Sequence, residues 1–223
     1  MIRRRSWLIA SAILAVLLYA LMWIGYVQQW KWLATIDSSA LDFFHRYGVA
    51  RPGWVTAWDV FCTVLGPTTF RLLGLVMIII ALTRRNVRVA MFLLISIELS
   101  GLIVETAKQL SDRPRPDTAL VLALSTSFPS GHALGVMVGV LALLAVAWPV
   151  VAGPLRAWLV ALGAVLVVAI GVGRVVLNVH HPTDVVAGWA LGYAYFVVCL
   201  LLITPTRPVT VADETPVTPG TSR

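Results

Sequence analysis

Three cations, two histidines and one aspartate fall into three short stretches of this chain. Lys108 and Arg115 lie in KQLSDRPRP, His132 closes the run Pro129-Ser130-Gly131-His132, and Arg174, His180 and Asp184 share GRVVLNVHHPTD. An Arg guanidinium is a planar fork that matches phosphate oxygens, and Lys adds a compact point charge. Ser130 and Gly131 stand where an apolar run begins. There the free N–H groups and the positive end of a helix make an anion site, and a residue without a Cβ lets backbone come close. The set suits a phosphoryl group, whose transition state spreads charge over its equatorial oxygens. Such a transfer still needs a neutral imidazole to attack phosphorus and a second group to give the leaving oxygen a proton. Asp184 follows His180 by four residues, with Pro182 fitted to the first turn of the next helix. From that turn an acid reaches back as in a capping box, fixing one tautomer and leaving the other ring nitrogen free. The spacing therefore assigns His180 as nucleophile, Asp184 as its orienting acid and His132 as general acid.

Taken singly, each piece also has a structural reading. Lys108, Arg113 and Arg115 could snorkel at the end of a span. Pro129-Ser130-Gly131 is also a turn and helix cap. His180 and His181 are residues that sit at membrane interfaces. Arg174 resists this treatment, because it lies about two residues inside an apolar run, where charge is costly and marks function. The conjunction on one face carries the chemical reading.

The elements that must gather these residues are membrane helices. Apolar residues make up 59% of the 223 and charged ones only 12%, with a mean hydropathy of +0.89. That excludes a disordered chain and a water-soluble globule, which need far more polar surface. Six apolar runs follow: Ser6–Tyr26, Pro67–Leu82, Val89–Ala107, His132–Val151, Trp158–Val176 and Val185–Ile203. The first covers roughly 30 Å as a helix, one hydrocarbon core, and is too long for a cleaved signal peptide. The expected fold is all-α and polytopic, with six transmembrane helices. The Trp-rich segment Val27–Gly66 should form one or two short interfacial helices between the first and second spans. Residues 1–204 are expected to make a single membrane domain, and the Pro/Thr-rich residues 205–223 a disordered cytoplasmic tail.

The net charge of +7 is a topological signal rather than a nucleic-acid patch. With the N-terminus inside, nine of the seventeen Lys/Arg are cytoplasmic: Arg3, Arg4, Arg5, Arg84, Arg85, Arg88, Arg156, Arg207 and Arg223. Lys31, Arg46, Arg51 and Arg71 face the other side, and Lys108, Arg113, Arg115 and Arg174 are left for chemistry. Both termini are then cytoplasmic, and the three motifs meet at the extracytoplasmic face of a cell membrane. Cys62 and Cys199, far apart and in apolar surroundings, are expected to be buried thiols with no metal or redox spacing.

The motifs resemble those of the phosphatidic acid phosphatase type 2 superfamily of integral membrane lipid phosphatases: K-x6-RP, PSGH and SR-x5-H-x3-D. Lys108, Arg115 and Pro116 are in register with the first, Pro129–His132 completes the second, and Arg174, His180 and Asp184 match the third. The likeness spans roughly residues 60 to 200 and includes the six-span layout. One departure is Gly173, where the family usually has Ser. Arg113 also makes the first motif ambiguous, since it could share the phosphate contact with Arg115. The resemblance implies a metal-independent hydrolase without cofactor. His180 would form a phospho-histidine oriented by Asp184, and His132 would protonate the departing group. Lys108, Arg115, Ser130, Gly131, His132 and Arg174 would hold the phosphate. The substrate is expected to be a lipid phosphate or diphosphate met from the bilayer: undecaprenyl diphosphate, phosphatidylglycerophosphate or phosphatidate. Two other classes use the same anion site: an anionic-lipid transporter or flippase, which has no need of two histidines and an aspartate, and a lipid phosphotransferase. Glu98 and Glu105, seven apart in the third run, share a helix face and are expected to pair with Lys108 or another basic group.

Overall fold

The computed structural model describes residues 2–205; the tail from 206 onward, including Arg207 and Arg223, lies outside the described residues. All regular structure among the described residues is helical: α1 (Ile2–Val27), α2 (Lys31–Val49), α3 (Pro52–Val64), α4 (Pro67–Thr83), α5 (Val87–Leu93), α6 (Ser100–Ser111), α7 (Gly131–Ala147), α8 (Gly153–Val176) and α9 (Pro182–Leu202). A π-helical turn, Leu94–Glu98, joins α5 to α6.

Five stretches are long and apolar enough to cross a membrane: Arg5–Val27, Pro52–Thr83, Val87–Ser111, Gly153–Val176 and Pro182–Leu202. The chain is an integral membrane protein. The run expected at His132–Val151 is the shorter α7, of 17 residues. Pro149 has no N–H to extend the hydrogen-bond ladder, so α7 stops just before it. The next helix begins at Gly153, ahead of the expected Trp158, because Pro154 suits the first turn. The segment expected to hold one or two short helices forms α2 and α3, and α3 runs into α4 as one 32-residue apolar stretch. Large apolar side chains remain exposed on α1, α4 and α8, among them Leu14, Leu17, Leu72, Val76, Leu162 and Val165. Such faces suit lipid.

α9 lies at the centre, packed between α1 and α7, and α7 also packs on α8 and α4. Small residues set these distances. A Cβ on Gly188 would fall 2.6 Å from Ser130 O, and one on Gly192 2.9 Å from Leu134 O. On the other side of α7, Gly135 faces Pro67 and Gly139 faces Phe70 just as closely. Both pairs are spaced i, i+4, the small-xxx-small pattern that lets membrane helices touch backbone to backbone. α2 is amphipathic, burying Leu33, Asp37 and Leu41 along one stripe.

Candidate active site

The three motifs meet at one end of the bundle. The first leaves α6 and continues into the loop 112–130. The second ends that loop and starts α7, and the third bridges α8 and α9. Backbone bonds tie them together: Ser130 N donates to Asp184 O at 2.9 Å, and Ser127 N to Arg113 O at 2.7 Å. Asn178 makes the turn after α8 in the left-handed region, at φ 54°, and its side chain donates to Leu41 O and Thr118 Oγ1. Asn tolerates that backbone better than most residues.

His180 sits in this turn at 1% exposure. Arg115 Nη1 faces its Nε2 at 3.3 Å, and Asp184 Oδ2 lies 3.5 Å from its Nδ1. A donor before Nε2 and a carboxylate behind Nδ1 assign the proton to Nδ1 and the lone pair to Nε2. Burial, opposed by Asp184 and reinforced by Arg115 and Arg174, pushes the imidazole pKa down to about 4, so the ring is neutral at ordinary pH. Arg115 is itself held in place: Nε donates to Ser125 O at 2.6 Å and Nη1 to Val179 O at 2.5 Å.

Lys108, in the last turn of α6, is buried and donates through Nζ to the carbonyl of Thr126. Gly131 packs over it: a Cβ there would lie 3.1 Å from Val104 and 4.0 Å from Lys108 Cε. Ser130 caps α7, its Oγ accepting from Ala133 N at 3.5 Å. The first N–H groups of α7 thus open beside Lys108, as an anion site requires. His132 follows, and Arg174, His180, Arg115 and Lys108 all act on it through space. Arg174 is buried near the end of α8 beside Cys62 and Asp59, and its Nε has no hydrogen-bond partner among the described residues.

Asp184 is wholly buried and fully engaged. Oδ1 accepts from Arg113 Nη1 at 2.6 Å; Oδ2 accepts from Ser127 Oγ, from His181 N at 2.8 Å and pairs with His181 Nδ1 at 3.1 Å. The capping box expected from spacing is present, but its N-cap is His181 rather than His180. Asp184 therefore lies 3.5 Å from His180 Nδ1, which is buried with no hydrogen-bond partner among the described residues, and acts on it through charge. Arg113 has partners different from those of Arg115. It is buried, stacks on Tyr26 at 4.6 Å and joins Asp184 to Asp37 Oδ2 at 2.8 Å and Thr183 Oγ1 at 2.8 Å. Asp37 in turn accepts from Thr183 N and Oγ1. Asp37, Ser127 and Thr183 were not singled out by sequence. Asp37 lies 147 residues before Asp184, and its only trace was an acid on the apolar stripe of α2.

Gly173 is explained by its neighbours. A Cβ there would fall 2.5 Å from Cys62 Sγ and 2.8 Å from the Trp58 ring, so this chain has no room for the expected Ser. Glu98 and Glu105 make no ion pair within 4 Å among the described residues, and Glu98 feels Arg71 rather than Lys108. An open cleft of ≈ 660 Å³ leads into the site between α4, α6 and the start of α7, with Lys108, Gly131 and His132 in its wall.

The family model of the PAP2 superfamily matches residues 89–208, more than half of the chain. The chain belongs to the PAP2 superfamily. It is 34% identical over 116 residues to the undecaprenyl-diphosphatase of Sulfolobus acidocaldarius, covering 49% of this chain and 52% of that one. The chain thus spans about half the length of that relative. It is 32% identical over 159 residues to phosphatidylglycerophosphatase B of Bacillus subtilis, covering 66% of this chain and 74% of the relative. In fold it is similar to the crystal structure of a transmembrane PAP2-type phosphatidylglycerolphosphate phosphatase from Bacillus subtilis. The TM-score is 0.69 at 22% identity, over 87% of this chain and 94% of that one.

Proposed function

We propose that this PAP2 protein hydrolyses a lipid phosphomonoester or diphosphate through a phosphoenzyme on His180. The observation that carries the reading is the setting of that ring: buried at 1% exposure, with Arg115 Nη1 3.3 Å from its Nε2 and Asp184 Oδ2 3.5 Å from its Nδ1. Nε2 attacks phosphorus while Arg115, Arg174, Lys108 and the N-terminal amides of α7 stabilise the equatorial oxygens. The P–O bond to the lipid breaks, and His132 gives its proton to the departing oxygen. Asp184 then faces an imidazole bearing the phosphoryl group, whose positive charge it stabilises. Water attacks phosphorus, His132 takes its proton, and inorganic phosphate leaves with His180 restored as the free base. Three cations supply the charge a metal ion would bring, so no metal is required.

The same reading sets the protein in the membrane. α7 serves as a sixth span with the loop segments at its ends, both termini are cytoplasmic, and the site opens at the extracytoplasmic face. α2 lies along that surface. The lipid enters sideways, so its tail stays in hydrocarbon while the headgroup meets the cations. Phosphate release by purified protein from undecaprenyl diphosphate, phosphatidylglycerophosphate and phosphatidate tests this. The expected result is turnover of at least one lipid by the wild type and none by His180→Ala. Binding without release in the wild type would point to a transporter instead, and phosphoryl transfer to another lipid to a phosphotransferase.

A further inference from the structure

Arg71 is a cation that the mechanism above does not use. It lies on α4, inside an apolar stretch long enough to span a membrane. Charge in such a place is costly unless it serves a polar cavity or a ligand. Arg71 forms no ion pair and no side-chain hydrogen bond among the described residues, and it lines the cleft that also contains Lys108 and His132. Its guanidinium is laid across Gly101 of α6, where a Cβ would fall 2.5 Å from Nη2. The absence of a side chain at 101 makes the space that Arg71 occupies. Behind it, Glu98 approaches Gly74, one turn further along α4, and has a buried Oε1 with no partner. That carboxylate feels the charge of Arg71 through space without pairing with it.

The placement has a direction. α4 begins beside the site, with Gly66 against His132 and Pro67 against Gly135. Arg71 follows one turn deeper. Along α6, Gly101 precedes Lys108 by seven residues, about 10 Å of helix on the membrane side of the catalytic cations. A lipid whose scissile phosphate lies among Lys108, His132 and Arg174 would run its headgroup past Arg71 before its tail enters the bilayer. A guanidinium fork there is matched by a second phosphate on the tail side.

We infer that Arg71 binds the tail-side phosphate of substrates with two phosphate groups, and so favours them over phosphatidate. The inference rests on the phosphatase reading above. Two lipids carry this chemistry: a prenyl diphosphate, with the phosphates directly linked, and phosphatidylglycerophosphate, with a glycerol spacer between them. Phosphatidate and p-nitrophenyl phosphate have no tail-side phosphate.

The test is kcat/KM of the detergent-purified full chain on these four substrates. For Arg71→Gln, the ratio of kcat/KM on at least one two-phosphate lipid to that on phosphatidate should fall roughly 10- to 100-fold, the worth of a charge-assisted bond to phosphate. Arg71→Lys should recover part of that ratio. Gly101→Ala, which keeps Arg71 but displaces its guanidinium, should lower the ratio as well. The lipid with the larger loss reveals which phosphate spacing Arg71 reads. Equal losses on all four substrates, or an unchanged ratio in Arg71→Gln, would overturn the assignment while leaving the phosphatase reading intact. A wild type inert on all four would overturn both.

Discussion

Burying an imidazole removes the water that would stabilise its cation. At 1% exposure His180 has its pKa lowered to about 4, well below the ordinary value near 6.5. The nucleophile must be neutral, so kcat/KM should fall as pH drops through about 4, not through 6.5. A pH–rate profile whose acid limb sits near 6.5 would show that His180 is solvated during turnover. The support beneath His180 is the chain Asp184–Arg113–Asp37. Asp37→Ala leaves the buried guanidinium of Arg113 with one carboxylate instead of two. A broken buried pair costs about 3–5 kcal/mol, so both thermal stability in detergent and turnover should fall sharply, with Asp37→Glu recovering part of each. Gly173→Ser should likewise lower activity, because its Cβ meets Cys62 Sγ and Trp58, and Cys62→Ala in the same chain should restore part of the loss. At this scale the sequence revealed the residues of the three motifs, because their chemistry is rare and their spacing regular. It did not reveal Asp37, Ser127 or Thr183. Those are ordinary residues drawn into the cluster by partners 146, 57 and 146 positions away, and no local pattern encodes such a contact.

Helices hold the motifs in register, and glycines set how closely the helices approach. Gly188 and Gly192 of α9 let the backbone of α7 come against it, which brings Ser130–His132 beside His180–Asp184. Gly192→Leu would drive a side chain into Leu134. Overpacking of this kind costs about 1–3 kcal/mol, and the two motifs should separate enough to lower turnover more than an exposed change such as Val198→Ala. Thermal unfolding in detergent beside phosphate release measures both effects. Helix positions were legible from apolar runs, and several ends from proline: Pro67, Pro149, Pro154 and Pro182 each mark one. The π-helical turn at Leu94–Glu98 was not legible. Within it the carbonyl of Ile95 accepts from Tyr195 of α9, a tertiary contact that hydropathy does not record. Spacing predicts the capping box at Asp184 but not its partner, because it does not say which of two adjacent histidines is the cap.

For the whole molecule, charge and hydropathy together predict which face the site opens on. Cys62 and Cys199 are both buried, so an introduced cysteine can report topology with little background. Leu124→Cys, in the exposed loop beside the site, should react in intact cells with a membrane-impermeant maleimide, whereas Arg85→Cys in the turn after α4 should react only after lysis. The reverse pattern would invert the proposed orientation. Activity should also survive EDTA, since Lys108, Arg115 and Arg174 already gather the positive charge at the phosphate. A loss restored by Mg²⁺ would contradict that account.

The central claim is a phosphoryl group carried by one buried imidazole. Rapid quench of the wild type turning over a lipid radiolabelled in its scissile phosphate, followed by mapping of the protein-bound label, tests it most directly. The account predicts an acid-labile, base-stable adduct on residue 180 that is absent from His180→Ala. Label on any other side chain, or wild-type turnover by His180→Ala, would contradict it.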